Sequence, residues 1–200
     1  MSIIFLSLVF FAISTFSQNG DFDVEHIYES DNRDFEDLLD FSKIKFNRFI
    51  LKGDSLSGKK ATLISREIKK GKIIKTDTIF NSLKLPYFIS MNKYQFSSLR
   101  ILTKRSEKKN KLSIKFNNYT LSKKVSVFGE NDYEILGLFE SNKKYPVFNN
   151  EFYIFSLCPP YKTSDGWQRT VPTGIAGGDV MKWYKKFKIK HYFIFSMIIK

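Results

Sequence analysis

From Lys43 to the end of the chain, apolar side chains recur at every second residue in short runs, and turn residues break the pattern about every ten positions. This period constrains the fold more than any other feature. A run of period two buries one face and must pair with neighbours of the same kind. Ile44 and Phe46, followed by Phe49 and Leu51, mark one strand; Ala61, Leu63 and Ile68 mark the next. Lys70-Gly71 is a turn signal, and with 73–80 after it the pair reads as a β-hairpin. Further strands are expected at 86–91, 94–103, 111–117, 119–128, 133–139, 151–158 and 188–199. Many short strands without helix alternation indicate a mainly β fold: one antiparallel β-sandwich or barrel-like domain of about ten strands. Several runs are too short for an outer-membrane barrel, and lysines interrupt both faces.

Two helices are expected. Residues 31–41 follow a short strand at 23–28; Asp31 is positioned to cap, and Phe35, Leu38 and Leu39 share one face. Val180, Trp183, Tyr184 and Phe187 also share a face and define a short amphipathic helix before the last strand.

Ahead of these elements, residues 1–17 are free of charged side chains, too short for a membrane span, and end in small or polar residues. They read as a signal peptide, although Lys and Arg are absent from its start. The expected product is a secreted or periplasmic domain spanning 18–200. Cys158 is the only cysteine, so no internal disulfide is available and the core alone must stabilise the fold.

The chain carries a net charge of +13. Residues 21–40 hold nine acids against Arg33, so the remainder is strongly basic. Such a body suits a polyanion. An AT-rich coding bias gives the same excess of lysine over arginine, and the acidic segment could equally dock on its own body.

The long polar stretch 159–180 is the best candidate for recognition, because unstructured loops of this length in compact domains are usually functional. Tyr161, Trp167, Gln168 and Arg169 are its binding candidates, since an exposed tryptophan stacks on sugar rings or anchors a partner. A large aromatic gains most by burial, however, so the expectation for Trp167 itself is that it folds inward and pins the loop. The glycines of 173–182 match neither a Walker nor a dinucleotide-binding spacing, and Asp179 at the helix start would repel phosphate.

Catalytic candidates are few. His191 alternates with Ile189, Phe193 and Phe195, and so faces the apolar side; His26 is expected at the surface. The two histidines with a lysine could cleave RNA by acid–base chemistry, and Cys158 with His191 could form a thiol pair, but nothing in the sequence brings either set together. Cys158 shares alternation with Phe152 and Ile154, which reads as a small buried side chain. No metal or cofactor motif is present. The reading that follows is a non-enzymatic module for a protein or glycan partner; the alternatives are a secreted RNA-cleaving hydrolase and a secreted inhibitor that presents its acidic segment.

Overall fold

A computed structural model of the chain describes residues 21–28, 30, 32–84, 97–106, 109–117, 119–126, 133–139, 145–146, 151–172 and 180–200. The expected strand at 86–91, the expected leader, and Asp31 and Asp179 as caps lie outside these residues. The first sheet has six strands in the order β7-β6-β5-β2-β1-β9, and the second has five in the order β4-β3-β13-β10-β8. In sequence these are β1 (Asp21–Ile27), β2 (Ile44–Lys52), β3 (Ala61–Lys69), β4 (Lys72–Asn81), β5 (Ser97–Ser106), β6 (Lys109–Phe116), β7 (Tyr119–Ser126), β8 (Glu134–Gly137), β9 (Tyr145–Pro146), β10 (Glu151–Cys158) and β13 (His191–Ile199). A separate two-stranded hairpin joins β11 (Tyr161–Lys162) to β12 (Gln168–Arg169). Among the described residues the two sheets are distinct, which is the arrangement of a β-sandwich. Among the described residues every strand pairing is antiparallel.

The phenylalanine-rich composition explains the seam between the sheets. Phe49 of the first sheet stacks on Phe155 of the second at 5.6 Å and 17°, and Phe155 stacks on Phe195 at 4.2 Å and 10°. Phe80 and Phe116 form a second cross-sheet stack at 5.1 Å. Leu51, Leu63, Leu99, Ile114 and Met197 fill the remaining volume and are buried. Planar rings suit this position because they bury a large area with few rotatable bonds, and offset pairs add to the area term.

The Lys70-Gly71 signal holds. Both residues have positive φ, +50° and +75°, and Lys69 pairs with Lys72 across the two-residue loop. That is the geometry of a type I′ turn, whose twist matches the flanking strands.

Two expectations about facing need correction. In β2 the alternation changes side: Phe49 and Leu51 enter the seam, while Phe46 lies on the outer face beneath the ring of Phe35. Phe35 belongs to α1 (Arg33–Phe41), whose cap is Asn32, its side-chain oxygen accepting from the Phe35 N–H at 3.0 Å. Only Leu39 of the expected apolar face is buried; Leu38 is 57% exposed. In β10 a bulge between Tyr153 and Phe155 breaks the period of two. Ile154 and Phe155 both join the seam, and Cys158 turns to the opposite face from Phe152 and Ile154.

That opposite face of the second sheet is covered as well. Trp183 of α2 (Trp183–Phe187), Val180, Val171 and Ile189 pack with Ile68, Leu136, Cys158, Tyr192 and Ile194 in a second apolar cluster. The Tyr192 hydroxyl donates to the Val180 carbonyl at 2.6 Å and locks the cover in place. The described part of the 159–190 segment is therefore a lid on the sheet. It contains the β11–β12 hairpin, where no strand was expected.

Candidate functional site

The lid is where the recognition candidates lie. Pro159 and Pro160 end β10, since proline cannot continue a ladder. The chain then folds into the β11–β12 hairpin, with Tyr161 opposite Arg169 and Lys162 opposite Gln168. Its loop is closed by the Thr163 N–H donating to the Trp167 carbonyl at 2.9 Å and the Gly166 N–H donating to the Thr163 carbonyl at 3.0 Å. Gly166 takes φ +85°, which a side chain would resist. The Thr163 hydroxyl is within reach of both the Asp165 carboxylate and the Trp167 carbonyl, and its bond to Asp165 holds that carboxyl below its ordinary range.

The root of the hairpin is anchored and its tip is not. The Tyr161 ring meets Phe187 at 4.8 Å, and Val171 is buried. Trp167, by contrast, is 70% exposed, contrary to the expectation that it folds inward. Gln168 and Arg169 beside it are also exposed, and Arg169 lies 3.9 Å from Asp165. The structure thus groups all four binding candidates on one small hairpin: Tyr161 faces the lid, while Trp167, Gln168 and Arg169 are open to solvent.

The catalytic candidates are placed differently. His191 is 3% exposed. Its Nδ1 accepts from the Tyr133 hydroxyl at 2.8 Å, and its Nε2–H donates to Glu67 Oε1 at 3.0 Å. A carboxylate only accepts, which assigns the proton to Nε2. Burial lowers the His191 pKa, against the opposing pull of Glu67, so the ring is neutral near pH 7. Tyr133 is itself buried, at 2% exposure, so this chain of three groups pins β3, β13 and the start of β8 and offers no nucleophile to solvent.

His26 is not the surface residue expected. Its ring stacks on Phe49 at 4.2 Å, and its Nε2–H donates to the Asn47 side-chain oxygen at 2.8 Å. Desolvation pushes its pKa down to about 4. Nδ1 is buried without a hydrogen-bond partner and faces Gly137, where a Cβ would come within 2.9 Å of it. His26 therefore touches the end of β8 and His191 the residue before its start, about 13 Å apart along the strand. The two rings have separate partners. Cys158 lies on the lid side of the sheet and His191 on the seam side, so the sheet itself divides that pair. Burial pushes the Cys158 thiol up to about 12, leaving it protonated.

A polar cleft of about 150 Å³ that the sequence did not reveal opens where β3 and β4 meet β7. Ser65, Glu67, Lys75, Asp77, Lys123 and Phe193 line it. The Lys123 ammonium donates to Asp77 at 2.7 Å and to Ser65 at 3.1 Å, and Lys75 lies 3.2 Å from Asp77. The bond from Lys123 holds the Asp77 carboxyl below its ordinary range. A lysine that already donates to Ser65 and carries a counter-ion is not a base toward that hydroxyl, so the Ser65–Lys123 contact is a bridge between sheets. One signal was available in the sequence: Ser65 and Glu67 share the inward parity of Ala61 and Leu63, and Lys123 shares that of Leu121 and Val125.

Among the described residues no three His, Cys, Asp or Glu side chains gather as metal ligands, and no helix is long and apolar enough to cross a membrane. No family model, curated protein or solved structure matches the chain.

Proposed function

We propose that the chain is an exported, non-enzymatic binding module that engages a protein or glycan through the β11–β12 hairpin. One observation carries this reading: a tryptophan that would gain by burial is instead held 70% exposed on a hydrogen-bonded tip. Exposing an indole forgoes roughly 2–3 kcal/mol of apolar burial, and a contact surface recovers that on binding. Arg169 and Gln168 beside it add donors that fix the orientation of a bound group. The hydrolase alternative receives less support, because both histidines are neutral and occupied within the fold.

The test is a screen of the immobilised protein against arrayed glycans and cell-surface proteins, followed by Trp167→Ala on the strongest ligand. The expected loss in affinity is about thirtyfold, with the melting temperature within about 2 °C of the parent. Unchanged affinity in that variant would remove the hairpin from the interface.

A further inference from the structure

The hairpin between β3 and β4 and the α2 segment form a second surface that the Trp167 reading does not use. The two elements adjoin. The Lys70 N–H donates to the Lys190 carbonyl at 2.8 Å, and a Cβ on Gly71 would lie 3.4 Å from the Tyr184 side chain. The hairpin presents Lys69, Lys70 and Lys72 to solvent, and five further lysines from Lys182 to Lys190 are exposed beside them. No acid interrupts either stretch over residues 68–76 or 180–190. Carboxylates flank both stretches: Glu67 is turned to His191, Asp77 is held by Lys123 and Lys75, and Asp179 lies outside the described residues. Set among these cations are exposed aliphatic side chains: Ile73 at 46%, Ile74 at 54% and Met181 at 37%.

Coding bias toward lysine accounts for a high lysine count. It does not account for the absence of acids from two stretches that meet in space, nor for exposing consecutive isoleucines on one of them. The residue types also discriminate among polyanions. Nucleic-acid surfaces draw on arginine forks and on aromatic rings that stack with bases. Here the exposed cations are all lysine and the exposed apolar groups are aliphatic. Aliphatic side chains flanked by ammonium groups match the boundary of an anionic bilayer, where the chains enter the acyl region and the lysines meet headgroup phosphates.

We infer that this face, the β3–β4 hairpin tip together with α2, docks on an anionic lipid surface. The aliphatic groups supply a salt-insensitive part of the binding and the lysines a salt-sensitive part.

Sedimentation of the full chain with vesicles tests this directly. Vesicles of neutral phosphatidylcholine are compared with vesicles in which about one-fifth of the lipid is phosphatidylglycerol. Neutral vesicles register whatever residues 1–17 contribute, so the difference between the two is the readout. The expected difference is about tenfold or more in favour of the anionic vesicles, falling with added salt. Reversing Lys72, Lys185 and Lys186 to Glu is expected to abolish the difference, and Ile73→Ser with Ile74→Ser to reduce anionic binding about threefold without altering its salt dependence. All five positions are exposed, and circular dichroism checks that the variants remain folded. Equal binding to the two vesicle types, or an undiminished difference in the lysine variant, would overturn the inference. Displacement from anionic vesicles by duplex DNA at equal phosphate would do the same in favour of a nucleic-acid partner. Trp167→Ala leaves these results in place, which separates this surface from the hairpin.

Discussion

A histidine buried against aromatic rings behaves as a destabilising base in acid, and His26 is the clearest instance in this chain. Its folded-state pKa of about 4 lies below the ordinary 6.5 because desolvation disfavours the imidazolium, while the bond to Asn47 works in the opposite direction. The unfolded chain therefore binds the extra proton. Stability from this group is complete above pH 6.5 and is lost as pH falls toward 4, by at most about 3 kcal/mol. His191 acts with the same sign, since burial also lowers its pKa, and the depressed Asp77 carboxyl adds a loss at lower pH. Urea melts across pH 7 to 4 on the parent and on His26→Gln isolate the share of His26. The variant is expected to show a visibly shallower decline, and parallel curves would assign the acid sensitivity to other groups. The placement of single residues is the least legible level in the sequence. The inward facing of His191 follows from its strand parity, but the position of His26 depends on Gly137, far along the chain, leaving room for the ring.

Among the elements, α1 and α2 form an instructive pair, since both show apolar spacing in the sequence and only one uses it. α2 buries Trp183 and packs Phe187 against the second sheet. α1 buries Leu39 and rests Phe35 on Phe46, yet leaves Leu38 57% and Phe41 87% exposed. Helical spacing identifies which side chains share a face but not whether the surface beneath is wide enough to receive them. α1 sits on the outer face of β2, where Phe46 receives the ring of Phe35. Leu38→Ser and Phe41→Ser are accordingly expected to change stability by under about 0.5 kcal/mol, and Leu39→Ala to cost about 2–3 kcal/mol. A denaturation series on the three variants checks this, and a large cost at Phe41 would mean that α1 packs more deeply than described. Residues 21–27 cannot be removed to probe this helix, because β1 lies between β2 and β9 inside the first sheet. The strands were more legible than the helices. Glu151–Cys158 begins and ends where the sequence pattern does, and β2, β3 and β4 lie within a residue or two of their expected runs. The bulge in β10 was not legible, because the extra residue is apolar and the run Ile154-Phe155 reads as ordinary strand.

In the molecule as a whole the described residues stack in three layers: a six-stranded sheet, a five-stranded sheet and a lid formed by the described residues between β10 and β13. The period of two announced the sheets, but it could not announce the lid, whose contacts are long-range and whose strands have two residues each. The lid explains why β13, in the middle of the second sheet, is buried on both faces, at eight of its nine positions. It also divides the two tryptophans, Trp183 facing down at 2% exposure and Trp167 facing out at 70%. The most direct measurement is iodide quenching of tryptophan emission in two single-tryptophan variants, Trp167→Phe and Trp183→Phe. Trp183, left alone in the first, is expected to be shielded from the quencher until the protein unfolds, and Trp167, left alone in the second, to be quenched in the folded state nearly as in denaturant. Equal accessibility of the two indoles in the folded protein would contradict the lid, and with it the placement of the recognition hairpin.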